Sequence, residues 1–131
     1  MLCALLIYEA EEVSESYSAD DQAAALAGHR ALQTATKAAA TFVEANQLMP
    51  PGTATGVRVR DGVPSVTDGP FAETKELLIG LYVMDCESLE QAIDYAARIP
   101  HAATGGVEVR PIAYLETASN EARVWTDRLS P

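Results

Sequence analysis

The sequence predicts an α+β fold: an antiparallel sheet with its helices on one face. Three observations carry the prediction. Strand-like and helix-like segments succeed one another as β-α-β, a hairpin, then β-α-β. Each of the two helical segments opens on a serine with a polar partner three residues on, Ser18 with Asp21 and Ser88 with Gln91. The run "ELLIGLYVMD" (76–85) is apolar on both faces, so each face needs a cover.

The elements follow in order. "LCALLIY" is a short apolar run that reads as a buried strand, and an acidic loop follows it. The first helix runs from Ser18 to about Ala40, rich in Ala, Gln, Leu and Lys. Leu26, His29, Leu32 and Thr36 fall on one face at steps of three and four, so His29 points inward. "TFVEANQLM" is a second strand, stopped by Pro50-Pro51-Gly52. "TGVRVRDGVPSVTDG" alternates apolar and polar around Asp61-Gly62, the signature of a hairpin with a primed turn. Pro64 cannot donate to a ladder, which places its strand at an edge. After "ELLIGLYVMD" comes the second helix, "LEQAIDYAAR", with Leu89, Ala92, Ile93 and Ala96 as the expected buried stripe. Pro100 stops it, His101 then sits in an exposed loop, and "VEVRPIAYL" is the last strand. Residues 1–115 thus form the domain, and 116–131 a polar tail that can hold a short helix anchored by Trp125 and Leu129. The pattern suggests a split βαβ, ferredoxin-like sheet with an inserted hairpin. Helices on one face leave the other apolar face bare, and a second copy of the sheet is the simplest cover, giving a two-fold homodimer.

Composition narrows the function classes. A chain of 131 residues suits one domain with its own core. The formal net charge of −10 argues against nucleic acid or an anionic membrane surface as a partner. Cys3 and Cys86 make no ligand spacing and each lies in an apolar run, as small buried residues do. The N-terminal apolar run is too short for a signal peptide or a span, so a cytoplasmic protein is expected. There is no P-loop, GxGxxG or GxSxG pattern, and two histidines without local spacing make no metal signature; no cofactor is expected.

The block "VTDGPFAETKE" (66–76), with "VRVRDG", "GLYVMD", "EQAIDYAARIP" and "VEVRPI", resembles the DGPF group of the YCII-related family. The resemblance covers most of the chain and implies a dimeric α+β barrel of ferredoxin-like subunits. It also implies a pocket between the sheet and the side of the first helix, near the dimer seam. Related proteins include a dehydrochlorinase acting on a chlorinated hydroxyhydroquinone, for which a His-Asp pair is proposed as the acid-base. DGPF proteins often occur beside extracytoplasmic-function sigma factors in bacterial genomes, which makes a sigma-factor link an implied partner. The family histidine matches His29. The family aspartate precedes a proline after the second helix, where this chain has Ile99-Pro100, so that aspartate is missing and Asp68 is the available substitute.

The candidate site residues each have two readings. His29 has the near-neutral pKa that proton transfer in both directions needs, or it is a core histidine bonded to a carbonyl. Asp68 orients His29 or simply closes an Asx-type turn. Phe71 stacks on a ligand or plugs loop to core. Arg58, with Arg60 two residues on, and Lys75 can hold a carboxylate or phenolate, or they are solvated surface charges. Tyr8 and Tyr82 line a pocket or pack in the core. Three readings stand: a cofactor-free lyase or hydrolase acting on a small polar or aromatic metabolite, a non-catalytic ligand-binding or regulatory dimer, and a structural dimer whose site is vestigial.

Overall fold

The computed structural model describes residues 1–119 and 122–124. Its main sheet has four strands in the order β2-β5-β1-β6, all neighbours antiparallel. These are β1 (Leu2–Ala10), β2 (Phe42–Gln47), β5 (Glu76–Asp85) and β6 (Gly106–Pro111). A separate hairpin, β3 (Thr55–Arg60) with β4 (Val63–Asp68), is inserted between β2 and β5. Asp61 and Gly62 at its tip both have positive φ, 52° and 77°, as a primed turn requires. Two helices pack on the sheet, α2 (Ala19–Ala38) and α3 (Leu89–Arg98), with short ones at α1 (Glu11–Glu15) and α4 (His101–Thr104).

The core lies between the sheet and these helices. Cys3, Leu5 and Ile7 alternate along β1 and meet Tyr82 and Met84 from β5, Leu32 from α2, and Ala92, Tyr95, Ala96 and Ile99 from the α3 region. Both cysteines are buried, and burial pushes the Cys86 thiol up to about 11, so it stays protonated and inert. The α3 stripe differs from the expected one: Ala92, Tyr95 and Ala96 are buried, but Leu89 and Ile93 are 48% and 52% exposed. Tyr95 carries more apolar area than either, and its hydroxyl accepts from Thr41 Oγ1 at 3.2 Å, so the helix turns Tyr95 inward. After residue 113 come two paired strands, β7 (Tyr114–Glu116) and β8 (Ala122–Val124); residues 120, 121 and 125–131 of the tail, in which a short helix is expected, lie outside the described residues. Trp125 and Leu129 lie outside the described residues.

Ser18 caps α2 as the sequence predicts. Asp21 N–H donates to Ser18 Oγ (3.1 Å), and Ser18 N–H donates to the Asp21 carboxylate (2.9 Å), a reciprocal capping box. Ser18→Ala should cost about 1 kcal/mol in urea unfolding; an unchanged midpoint would show that the cap contributes nothing. At α3 only half of the box forms. Ser88 Oγ accepts from Gln91 N–H, while the Gln91 side chain accepts from Glu87 N–H instead.

Two glycines permit close approaches that set the site. At Gly28, on α2 beside His29, a Cβ would stand 2.6 Å from Pro100 Cγ. At Gly105, which follows α4, a Cβ would stand 2.0 Å from the Tyr8 carbonyl oxygen of β1. Together they let α4 lie against both α2 and the central strand.

Candidate functional site

A cleft of about 480 Å³ opens between α2 and the sheet. Leu26, Ile7, Ala45 and Ile79 supply apolar walls; His29, Gln33, Tyr82 and His101 are among its polar groups. The inward helical face places His29 there, as its spacing predicts. A second cleft of about 460 Å³ shares Tyr17, Gln22, Gln47, Ile79 and His101 with the first, so the two are continuous. Among the described residues, no Lys or Arg lines either one.

Both ring nitrogens of His29 are engaged. Nδ1 lies 2.6 Å from Tyr82 Oη, and Nε2 lies 2.8 Å from His101 Nδ1. Gln33 Nε2 donates to the same tyrosine oxygen at 3.4 Å. Tyr82, His29 and His101 therefore form one hydrogen-bonded chain along the cleft wall. Burial lowers the His29 pKa, and the neighbouring His101 charge lowers it further, so the neutral imidazole is favoured. Burial raises the Tyr82 phenol, which stays protonated at neutral pH.

Behind His101 lies a carboxylate. Glu9 is only 2% exposed. Its phase on β1 matches Cys3, Leu5 and Ile7, which turns it toward the helices. Ser14 Oγ donates to one carboxylate oxygen at 2.6 Å; Tyr17 Oη and Thr104 Oγ1 donate to the other at 2.7 and 2.5 Å. Burial alone would raise the Glu9 pKa; these three donors and the charge of His101 outweigh it and hold the carboxyl below its ordinary value. Tyr17 also lies parallel to the His101 ring, with centroids 6.0 Å apart and planes within 8°. Thr104 sits one turn after His101 on α4.

Of the residues singled out from sequence, the structure brings His29 and Tyr82 together and leaves the others elsewhere. Tyr8 and Phe71 line a different cavity of about 540 Å³, with Pro70, Leu77 and Leu78. Arg58 lies over the Phe71 ring at 4.1 Å, a cation–π contact on the hairpin side. Asp68 ends β4 opposite Thr55, is exposed, and lines none of these cavities; His29 is bonded to Tyr82 and His101 instead. Gly69, a bend with φ 90°, donates its N–H to Ala54 O and so extends the pairing of the hairpin one bond past Asp68. Lys75 is exposed and lines none of the three cavities either. His101 is the main correction: it is half-buried at the head of α4, not in an exposed loop. The available signal was the pair Gly28-His29 facing Pro100-His101, since a glycine beside an inward histidine marks a close approach. Glu9 was legible as the next member of the alternation of β1.

Among the described residues, no three His, Cys, Asp or Glu side chains converge as a metal site, and no helix is long and apolar enough to cross a membrane. The YCII-related domain matches residues 1–116, and the chain belongs to that family. An uncharacterized protein of Rhizobium meliloti (strain 1021) is 38% identical over 115 residues, covering 86% of this chain and 93% of its own.

Proposed function

We propose that this protein is a cofactor-free acid–base enzyme of the lyase or hydrolase type, acting on a small polar or aromatic metabolite in the His29 cleft. The observation that carries this reading is the Tyr82–His29–His101 chain on the wall of an apolar cleft. A histidine of lowered pKa, bonded at both nitrogens, can pass a proton along without leaving its place. With no Lys or Arg along the described lining, an uncharged substrate suits the cleft better than a carboxylate.

The finer assignments belong to the same proposal. The protein is a cytoplasmic member of the DGPF subgroup with a ferredoxin-like subunit, which the strand order β2-β5-β1-β6 supports. It works as a homodimer, joined through the sheet face away from the helices. Leu6 and Leu81 are paired there, as are Tyr8 and Leu78, and all four are half-buried. Sedimentation equilibrium should give a dimer; a monomer at micromolar concentration would overturn the assembly.

Incubation of the protein with metabolite mixtures, read by mass spectrometry, tests the activity. The wild type should consume at least one component. His29→Ala should abolish that turnover while moving Tm by only a few degrees. Ile99 favours a second reading: it stands at the family aspartate position and is 1% exposed in the core, so no carboxylate acts from there. In that reading the cleft only binds, and the dimer is regulatory, tied to a sigma factor. Ligand-dependent stabilisation or a stable pull-down complex without turnover would select it.

A further inference from the structure

The hydrogen-bonded chain of the cleft is firmly placed at one end and not at the other. Tyr82 projects from β5, which is bonded to both β1 and β2, and His29 from the 20-residue α2. His101 opens α4, which has only four residues. One turn of helix is not rigid by itself. The torsion that swings a histidine ring, χ2, has broad preferences of its own. Neighbouring groups therefore decide whether His101 Nδ1 faces His29.

We propose that Tyr17 makes that decision: it is a positioning residue that clamps the His101 imidazole against His29 and so keeps the third member of the chain in place. The inference deepens the acid–base reading and rests on it for what the held imidazole is used for. The clamp follows from side-chain geometry and is the same whichever nitrogen carries the shared proton.

Among the described residues, the His101 ring makes its hydrogen bond with His29 and its ring contacts with His29 and Tyr17. The His29 contact joins Nε2 to Nδ1 at 2.8 Å, with the two planes tilted by 36°. The Tyr17 contact is a stack, with ring centroids 6.0 Å apart and planes within 8°. That separation is within the range of favourable aromatic pairs. A turn about χ2 would disturb both contacts at once. The parallel tyrosine thus opposes the motion that would carry Nδ1 away from His29.

A tyrosine can clamp only if it is held itself. Tyr17 lies in the short link between α1 and α2, beside the Ser18 that caps α2. Its hydroxyl gives the ring a fixed place. Oη lies 2.7 Å from Glu9 Oε2 and 2.8 Å from Thr104 Oγ1. Glu9 belongs to β1, which is paired on both sides by β5 and β6, and is 2% exposed. Thr104 belongs to α4 itself. The far end of the tyrosine is therefore tied both to the sheet and to the helix whose histidine it holds. Tyr17 and His101 also line both clefts, so a ligand reaching from one half to the other passes the clamp.

Two imidazoles joined N–H···N transmit a nitrogen–nitrogen coupling through the bond. A neutral histidine has one donor and one acceptor nitrogen, so either direction of the bond gives the signal. The chain holds two histidines, so a coupling in protein labelled with nitrogen-15 histidine belongs to His29 and His101. The spectrum is best taken at about pH 8, above the ordinary histidine range. The wild type should show the coupling. Tyr17→Leu removes both ring and hydroxyl and should reduce it to less than about half. Tyr17→Phe keeps the ring, loses the anchor and should give an intermediate value. Being nearly isosteric, it keeps the test open should Tyr17→Leu fail to fold. Ser18→Ala is the control: it removes the cap at the next residue without touching the clamp, and should leave the coupling as in the wild type. No coupling in the wild type overturns the proposal. So does a coupling in either Tyr17 variant equal to that of the wild type, or an equal loss in Ser18→Ala. The measurement needs no turnover. A protein that transforms nothing yet loses the coupling with Tyr17 fails the acid–base reading while passing this one.

Discussion

Gly105→Ala should cost about 3 kcal/mol and lower Tm by roughly 10 °C. The added methyl would stand 2.0 Å from the Tyr8 carbonyl oxygen and 3.0 Å from Glu9 Cα. Those atoms belong to β1, the strand paired on both sides by β5 and β6, so its backbone cannot move aside as a flexible side chain would. Relief has to come from the α4 side. Gly105 donates its N–H to His101 O, so displacing it shifts the turn that holds His101. The His29–His101 contact of 2.8 Å should open as stability falls. Gly106→Ala is the matched control: nothing lies within 4 Å of its added methyl, and its effect should stay within about 0.5 kcal/mol. Thermal melts of the two variants with an imidazole NMR spectrum make the comparison. Equal melting temperatures would show that the close approach carries no cost.

How much of this was readable beforehand depended on distance along the chain. The hairpin turn at Asp61-Gly62 and the cap at Ser18 are local devices, decided by two to four neighbouring residues, and both are present as the sequence indicated. The inward face of His29 was also local, set by helical spacing. The partner of His29 was not. His101 lies 72 positions away, and the close approach of Gly28 to Pro100 lets α4 reach α2. Asp68 was the nearest carboxylate to suggest itself by motif, yet it ends an exposed hairpin strand of a separate sheet. The carboxylate that is buried in the site, Glu9, sits at the end of an apolar run. Its burial follows from a two-residue alternation that could be counted, but its stability there depends on Ser14, Tyr17 and Thr104, which no short motif joins. Half of the α3 stripe, Ala92 and Ala96, is buried as expected; Leu89 and Ile93 are exposed for a related reason, since tertiary packing of Tyr95 outweighed them.

Acid should remove stability in two separate steps, one for each of the two site groups, His29 and Glu9, whose folded-state pKa is depressed. His29 lies below its ordinary value of 6.5, through burial first and the charge of His101 second. The folded protein therefore binds that proton less readily than the unfolded chain. Its contribution is complete above about pH 6.5 and is lost as pH falls toward the folded pKa. Glu9 lies below its ordinary value of 4.5, because its three hydroxyl donors and His101 outweigh the opposing effect of burial. Its contribution is complete above that value and disappears as pH falls through the folded pKa. Urea midpoints measured from pH 8 to pH 3 should thus decline first below the histidine range and again below the carboxylate range. His29→Gln should remove the upper decline and leave the lower. Glu9→Gln should lower stability by about 2 kcal/mol at neutral pH, as charge-assisted bonds to a buried carboxylate are replaced by weaker ones, and should flatten the lower decline. The two steps also differ in what they do to the site. Protonating His29 places a proton on both of its ring nitrogens, so its bonds to Tyr82 and His101 should rearrange in the upper step while Glu9 still holds Tyr17 and Thr104. A single decline confined to the carboxylate range, unaltered by His29→Gln, would show that the imidazole is not held neutral by the fold.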